Sequence, residues 1–166
     1  MVNKKQIAIC LITAAINVLA DRLTKIAAII WLKGKESIEL INGTIIFIYT
    51  ENKGAFLSLG SNWPLLLKGF VLLYIPLLLC ISAFIYCLIK PINKIRTILL
   101  VTIVSGGVGN LVDRLLNNFS VIDFMNFGIG KIRTGILNVA DLSITFGVIV
   151  LVIYEMVEEK RKVTKV

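Results

Sequence analysis

The chain has 166 residues, of which 57% are hydrophobic, and its formal net charge is +8. Its mean hydropathy of +0.90 excludes a soluble globular protein of this length and indicates an integral membrane protein. The basic residues are grouped at the two ends and in one loop, which is typical of membrane orientation rather than of nucleic-acid binding. The sequence contains no histidine, so a catalytic site must be built from carboxylates, amides, hydroxyls or amines.

The first apolar segment follows Lys4 and Lys5, as the apolar core of a cleaved signal peptide would. Apolar residues nevertheless continue beyond Lys25 to Leu32. A helix over about 7–31 is long enough to cross a hydrocarbon core of roughly 30 Å. We therefore predict a first transmembrane helix that is retained in the mature protein.

Three further apolar segments have the length of membrane spans, at about 65–89, 96–116 and 137–157. Pro76 lies inside the second segment and is expected to kink it, while Pro91 is expected to end it. The predicted fold class is an all-α integral membrane protein with four transmembrane helices and a single domain.

Three basic clusters predict the orientation of these helices. With four spans the clusters share one face of the membrane, which the positive-inside rule makes cytoplasmic. Both termini are then cytoplasmic, and the connections over about 32–64 and 117–136 lie on the outer side. The clusters are Lys4 and Lys5; Lys90, Lys94 and Arg96; and Lys160, Arg161, Lys162 and Lys165.

The two outer connections carry different patterns. In the first, strand-like runs over 37–41 and 44–50 flank Asn42-Gly43, a strong hairpin signal, so we predict a small extracytoplasmic β-hairpin. The second is too apolar for a solvated loop, and we predict an interfacial segment lying at the membrane surface.

Four aspartates and two asparagines are expected near the outer surface although they come from different stretches of the chain. Charge in or beside hydrocarbon costs roughly 2.5–3.5 kcal/mol per residue, so this convergence suggests a functional site. The residues are Asp21, Asn110, Asp113, Asp123, Asn138 and Asp141.

Structural explanations exist for several of these acids. Asp21 and Lys25 have i,i+4 spacing, which suits an ion pair within one helix as well as it suits a functional pair. The neighbouring Arg22 can extend toward the lipid headgroups. Asn138 and Asp141 have the spacing of a helix-capping pair. Asp123, which lies between apolar neighbours, has no such explanation.

Two aspartates meeting at a membrane surface form a recognised catalytic pair. Like charges at close range cannot both ionise, so the two carboxyls share one proton. One carboxylate then activates water while the other protonates the scissile carbonyl. Because Asp141 opens a helix, whose dipole favours an anion, we predict Asp141 as the base and Asp123 as the acid.

Five segments together resemble the lipoprotein signal peptidase (signal peptidase II) family, in order and spacing over nearly the whole chain. The resemblance implies an intramembrane aspartyl endopeptidase of the bacterial cytoplasmic membrane, with its active site at the outer face and an extracytoplasmic β-cradle. The segments are Asp21–Lys25, Asn52–Phe56, Gly106–Arg114, Val121–Phe124 and Asn138–Asp141.

The resemblance also implies substrates and residue roles. The substrates would be diacylglyceryl-modified prolipoproteins, cut just before the lipidated cysteine, and the cyclic peptide globomycin would inhibit the enzyme. Asp123 and Asp141 match the catalytic positions. Positions that bind substrate or shape the site are matched by Asn52, Gly54, Asn110, Arg114 and Asn138, and supporting positions by Asp21, Lys25 and Asp113.

Other functions fit the sequence less well. A small ion-coupled transporter using the intramembrane acids is the main alternative, but its acids should continue into the inner half of the bilayer. A non-enzymatic assembly subunit leaves Asp123 and Asp141 unexplained. Without histidine, we expect no metal and no cofactor, and we expect Cys10, Cys80 and Cys87 to be apolar helix residues. Apart from substrate and membrane lipid we expect no partner, and a monomer.

Overall fold

The computed structural model describes residues 3–55 and 58–163. Within them, four helices are long and apolar enough to cross a membrane: α1 over Lys4–Leu32, α2 over Leu65–Ile89, α3 over Lys94–Leu116 and α4 over Val139–Val163. These bounds confirm the four predicted spans. Phe56 of the family-like segments and Lys165 of the last basic cluster lie outside the described residues.

The helix ends follow from local sequence. The side chain of Asn3 caps α1 by accepting from the Lys5 N–H at 3.0 Å, and Asn93 caps α3 by accepting from the Arg96 N–H at 2.8 Å. Helix α2 ends at Ile89, two residues before Pro91, as predicted. Its irregularity is a π-helical stretch over Gly69–Tyr74, which directly precedes the turn that contains Pro76.

Helix α3 lies at the centre of the bundle and packs against the other three helices. Its close approach to α4 and α1 requires residues without a side chain. A Cβ atom at Gly106 would lie 2.5 Å from the Ala140 carbonyl oxygen, and one at Gly109 would lie 2.7 Å from Asp21 Oδ2. The glycines therefore bring polar groups of α1 and the start of α4 against α3.

The end of the bundle farther from the sheet is tied by polar contacts. Gln6 Nε2 donates to the carbonyls of Cys87 and Lys90 at 2.6 and 2.7 Å, which joins α1 to the end of α2. The Arg96 guanidinium forms a forked pair with the Glu155 carboxylate, which joins α3 to α4.

A four-stranded antiparallel sheet covers the opposite end, in the order β1 (Ile38–Leu40), β2 (Ile45–Asn52), β3 (Val121–Ile129) and β4 (Ile132–Leu137). The first hairpin turns at Asn42-Gly43, where both residues have positive φ, so the predicted hairpin is confirmed. The second connection forms β3 and β4, two strands that the sequence did not predict, and its location at the membrane surface stays a prediction. Strand alternation is absent from β3 because residues 121–125 are buried on both faces.

The register of the sheet positions two of the predicted acids. Asp123 lies opposite Thr50 of β2, beyond an irregularity in the β2–β3 ladder. Strand β4 ends at Leu137 and α4 begins at Val139, so Asn138 alone connects the two elements. An apolar cluster of Phe124 and Met125 with Ala28 and Leu32 of α1 fixes β3 against the bundle.

Candidate active site

A cavity of about 510 Å³ lies between the sheet and the ends of α3 and α4. Five of the predicted polar residues line it, together with apolar residues such as Ile136 and Ile144. Those polar residues are Asn52, Asn110, Arg114, Asp123 and Asp141. A volume of this size holds several residues of an extended peptide or part of a lipid headgroup.

Asp123 extends from β3 and is 3% exposed. Its Oδ1 accepts from Asn138 Nδ2 at 2.7 Å, and its Oδ2 accepts from Asn52 Nδ2 at 3.1 Å. Burial, and then the charge of Asp141, raise the pKa of the Asp123 carboxyl to about 6, although the two amides and the charge of Lys25 act in the opposite direction.

Asp141 lies in the first turn of α4 and forms a reciprocal capping pair with Asn138. The Asp141 N–H donates to Asn138 Oδ1 at 2.9 Å, and the Asn138 N–H donates to Asp141 Oδ2 at 3.0 Å. The other oxygen, Oδ1, accepts from Asn110 Nδ2 at 2.8 Å. The predicted helix cap is thus confirmed, and Asp141 of this pair lines the cavity.

Asn138 and Asn110 join the two carboxyls into one network. Besides the contacts above, Asn138 Nδ2 donates to Asn110 Oδ1 at 3.1 Å. Asn138 is completely buried, so its amide is fixed by these partners alone. A carboxyl on a strand and a carboxyl on a helix are therefore bridged by one asparagine side chain and its own backbone.

A second polar cluster lies behind the cavity, and its members are Asp21, Lys25 and Asp113, each at most 1% exposed. Lys25 Nζ lies 3.0 Å from Asp21 Oδ2 and 2.8 Å from Asp113 Oδ2. The i,i+4 ion pair expected between Asp21 and Lys25 is confirmed. Arg22 joins the cluster through Asp113 Oδ1 at 2.5 Å, so the expectation that it extends to the headgroups is wrong. A buried carboxylate attracts it more strongly than water does.

Arg114 links α3 to the turn that follows β2. Its Nη2 donates to the Gly54 carbonyl at 2.7 Å, while Asn52 Oδ1 accepts from the Gly54 N–H at 3.0 Å. The Arg114 Nε is buried without a hydrogen-bond partner. Arg114 nevertheless lines the cavity, and a guanidinium there is suited to a carbonyl oxygen of a bound peptide.

The site therefore gathers all ten predicted residues in two layers, one around the cavity and one behind it. The sequence interpretation did not include Thr50, Ser58, Ile144 and Thr145, which also line the cavity. Helical spacing from Asp141 could have indicated Ile144 and Thr145, which lie three and four residues further along α4. Among the described residues, no group of three or more Cys, Asp or Glu side chains is arranged to hold a metal ion.

The fold and the site together define a membrane protein of four spans in which the buried Asp123 and the partly buried Asp141 line one cavity. A model of the family described as signal peptidase (SPase) II matches residues 13–157. A lipoprotein signal peptidase of Borrelia duttonii is 33% identical over 93% of this chain and 94% of its own length. A lipoprotein signal peptidase of Clostridium acetobutylicum is 33% identical over 94% of this chain and 99% of its own length.

A solved structure of a bacterial membrane enzyme, obtained by the in meso method at 2.3 Å resolution, superposes with a TM-score of 0.74. It is 27% identical and covers 91% of this chain and 88% of its own. The chain belongs to the signal peptidase II family and is a protease. Family and helices support a multi-pass protein of the inner membrane.

Proposed function

We propose that the protein is an aspartyl endopeptidase that removes the signal peptide from diacylglyceryl-modified prolipoproteins, cleaving just before the lipidated cysteine. The observation that carries the proposal is the bridge through Asn138, which presents Asp123 and Asp141 to the same cavity. The relatives named as lipoprotein signal peptidases support the substrate class.

The charges of the described residues support a pair that shares one proton. Four carboxylates and three cations lie in and behind the cavity, which leaves one net negative charge when all are ionised. One proton on the carboxyl pair makes the site neutral, as a poorly solvated site requires. The carboxylates are Asp21, Asp113, Asp123 and Asp141, and the cations are Arg22, Lys25 and Arg114.

The surroundings of the two carboxyls favour Asp123 as the holder of that proton. Its pKa is raised to about 6, chiefly by burial. Both amide groups that contact it are donors, so the acid O–H points away from them and toward the cavity. Asp141 also accepts one N–H on each oxygen, but it lies in the first turn of α4, where the helix dipole favours the carboxylate.

The chemistry then follows from these two protonation states. Asp141 removes a proton from water as the water oxygen attacks the scissile carbonyl carbon, and Asp123 donates its proton to the carbonyl oxygen. The resulting gem-diol collapses when Asp141 protonates the amide nitrogen and Asp123 takes a hydroxyl proton back. The C–N bond breaks, a carboxyl group and an amine form, and the pair regains its single proton.

Residues around the pair are suited to binding an extended peptide. The guanidinium-bearing side chain of Arg114 lines the cavity, and the turn it holds contains Gly54. The charge clusters support cytoplasmic termini and therefore an outer location of the sheet and the cavity, where the lipid anchor of a prolipoprotein holds its cysteine. Water reaches a site at that depth. We propose that one copy of the chain suffices for this reaction.

The test uses purified protein and a diacylglyceryl-modified prolipoprotein, with cleavage followed by gel shift. We expect cleavage that requires the lipid, stops with globomycin, and is lost in Asp123→Asn and Asp141→Asn. Glu39→Gln is the matched control, because it changes a carboxyl to an amide at an exposed position of the same sheet. Equal cleavage of the unlipidated precursor would contradict the substrate assignment, and activity of either aspartate variant would contradict the mechanism.

A further inference from the structure

Lys25 is a buried cation that the proposed reaction does not use. It is 1% exposed and is absent from the residues that line the cavity. Its ammonium group has three N–H donors, and three acceptors surround it: Asp21 Oδ2 at 3.0 Å, Asp113 Oδ2 at 2.8 Å and Asn110 Oδ1 at 3.1 Å. All three donors are therefore used, and the position of the group is fixed.

Two of these contacts continue to the backbone beside each catalytic carboxyl. The second oxygen of Asp21 accepts from the N–H of Ala140 at 3.0 Å, one residue before Asp141. Asp113 Oδ2 accepts from the N–H of Ile122 at 3.1 Å, one residue before Asp123. A helix start and a strand that are far apart in the sequence are thus held by two carboxylates that share one ammonium.

The third contact determines the orientation of an amide. Lysine can only donate, so Asn110 must turn its oxygen toward Lys25 and its NH₂ group away. That NH₂ group donates to Asp141 Oδ1 at 2.8 Å. With the amide reversed, a carbonyl oxygen would face the carboxylate and repel it. Lys25, together with the Asn138 Nδ2 that donates to the same oxygen at 3.1 Å, therefore favours the orientation in which Asn110 stabilises an ionised Asp141.

We propose that Lys25 is the positioning residue of the active site, and that its three hydrogen bonds set the separation of Asp123 and Asp141 and the direction of the Asn110 amide. This inference rests on the proposed function. It assigns Lys25 a role in kcat rather than in substrate binding, because Lys25 does not reach the cavity.

The first test is Lys25→Met, which keeps a long side chain and removes the three donors. A displacement of about 1 Å in a catalytic group costs about 10²-fold in rate. We expect a loss of this size in kcat per folded molecule, with KM for the lipidated substrate unchanged. The matched control is Gln6→Leu, which also removes buried inter-helix hydrogen bonds from α1 but at the other end of the bundle. Its melting temperature should fall while kcat per folded molecule stays at the wild-type value.

A second variant protects the test against loss of folding. Lys25→Met combined with Asp21→Asn removes one charge of each sign and leaves the Arg22–Asp113 pair intact. The new amide oxygen can still accept from the Ala140 N–H, but the Asn110 oxygen loses its contact with the Lys25 cation and keeps the weaker neutral donor of Asn138. We expect this double variant to fold and to have a kcat no lower than that of Lys25→Met alone, because both changes interrupt the same network.

The pH profile gives a readout that a purely structural role would not move. Asp123 is faced by Lys25 from α1, Asn52 from β2, Arg114 from α3, and Asn138 and Asp141 at the start of α4. Removal of the Lys25 cation raises the pKa of Asp123, so the alkaline limb of kcat/KM should move to higher pH. In the double variant Lys25→Met with Asp21→Asn, which loses one charge of each sign, the alkaline limb of kcat/KM should move less.

The outcomes separate this inference from the proposed function. If Asp123→Asn and Asp141→Asn are inactive while Lys25→Met keeps wild-type kcat per folded molecule, the positioning role is wrong and the proposed function stands. A loss confined to melting temperature or to KM also overturns the positioning role. If the aspartate variants remain active, the proposed function itself fails.

Discussion

Asn138 donates its side-chain amide to Asp123 at 2.7 Å, and this hydrogen bond connects a helix start to the strand that carries the acid. The same residue caps α4 through its side-chain oxygen and binds Asp141 through its backbone N–H. Helix capping and alignment of the carboxyl pair therefore depend on one buried side chain, and substitution can separate the two roles.

Replacement of Asn138 by serine should preserve the cap and remove the donor to Asp123. A hydrogen bond between neutral groups is worth about 1 kcal/mol, which corresponds to roughly a fivefold decrease in kcat. Asn138→Ala removes both functions, so it should show the same decrease in kcat and be about 1 kcal/mol less stable than the serine variant. Melting temperature and kcat measured on both variants test this, and a serine variant with normal kcat would refute it.

The raised pKa of Asp123 predicts the pH dependence of activity. Since the acid must carry a proton, kcat/KM should fall as pH rises through about 6, the value of the free enzyme. Bound substrate displaces water from the cavity and disfavours the anion further, so the alkaline limb of kcat should lie at higher pH than that of kcat/KM. Steady-state measurements of kcat and kcat/KM across this pH range test the shift. An alkaline limb of kcat at lower pH than that of kcat/KM would contradict it.

The same carboxyl makes the free energy of unfolding depend on pH. The pKa of Asp123 rises from 3.8 in the unfolded chain to about 6 in the folded protein, so the folded state binds the proton more tightly. Stability should therefore decrease as pH rises through this window, by about 3 kcal/mol in total. Unfolding in detergent micelles at several pH values measures it. Asp123→Asn should flatten the curve, and an equally steep curve in that variant would assign the dependence to another group.

The turn beside the cavity is expected to require a residue without a side chain at position 54. A Cβ atom there would lie 2.5 Å from the backbone oxygens of Ser58 and Leu59, so Gly54→Ala must displace the turn that Arg114 binds. We expect loss of most activity in the cleavage assay. Gly69→Ala is the matched control, since its Cβ atom would meet only side-chain atoms at 3.8 Å or more in a helix. That control should be active, and about 0.5–1 kcal/mol more stable.

A positive charge at position 114 is not expected to be sufficient for full activity. Lysine keeps the charge but lacks the planar fork that can bind the Gly54 carbonyl and a substrate carbonyl together. Arg114→Lys should therefore raise KM and lower kcat, by about tenfold or more in kcat/KM for the loss of one charge-assisted hydrogen bond. The cleavage assay at varied substrate concentration separates the two parameters. A lysine variant with wild-type kcat/KM would exclude a forked contact.

The spans were predictable because length and hydropathy report membrane crossing directly, and Asn42-Gly43 reported the first hairpin. The second hairpin was not predictable from its pattern. Residues 121–125 are buried on both faces, so β3 lacks the alternation of a half-exposed strand. Its partner β4 is short and interrupted by Gly135, and the irregular register beside Gly128 further weakens any period-two signal.

The members of the site could be predicted, but their connections could not. Acids expected at a similar depth from separate stretches of the chain indicated Asp113, Asp123 and Asp141. The partner of Arg22 was missed because sequence spacing gives no information on contacts between helices, and depth alone suggested the headgroups. Asp21 Oδ1 accepts from a backbone N–H that is 119 residues away, and Asp113 Oδ2 accepts from one that is nine residues away. Only the packing of α1 and β3 against α3 and α4 makes those contacts.

The most direct test is a cycle of Asp123→Asn, Asp141→Asn and the double variant, assayed on a diacylglyceryl-modified prolipoprotein. Two carboxyls that share a proton act as one unit, so each single change should abolish turnover and the double variant should be no slower than either single variant. All three should insert and fold. Substantial cleavage by either single variant, or losses that multiply in the double variant, would contradict a shared-proton pair.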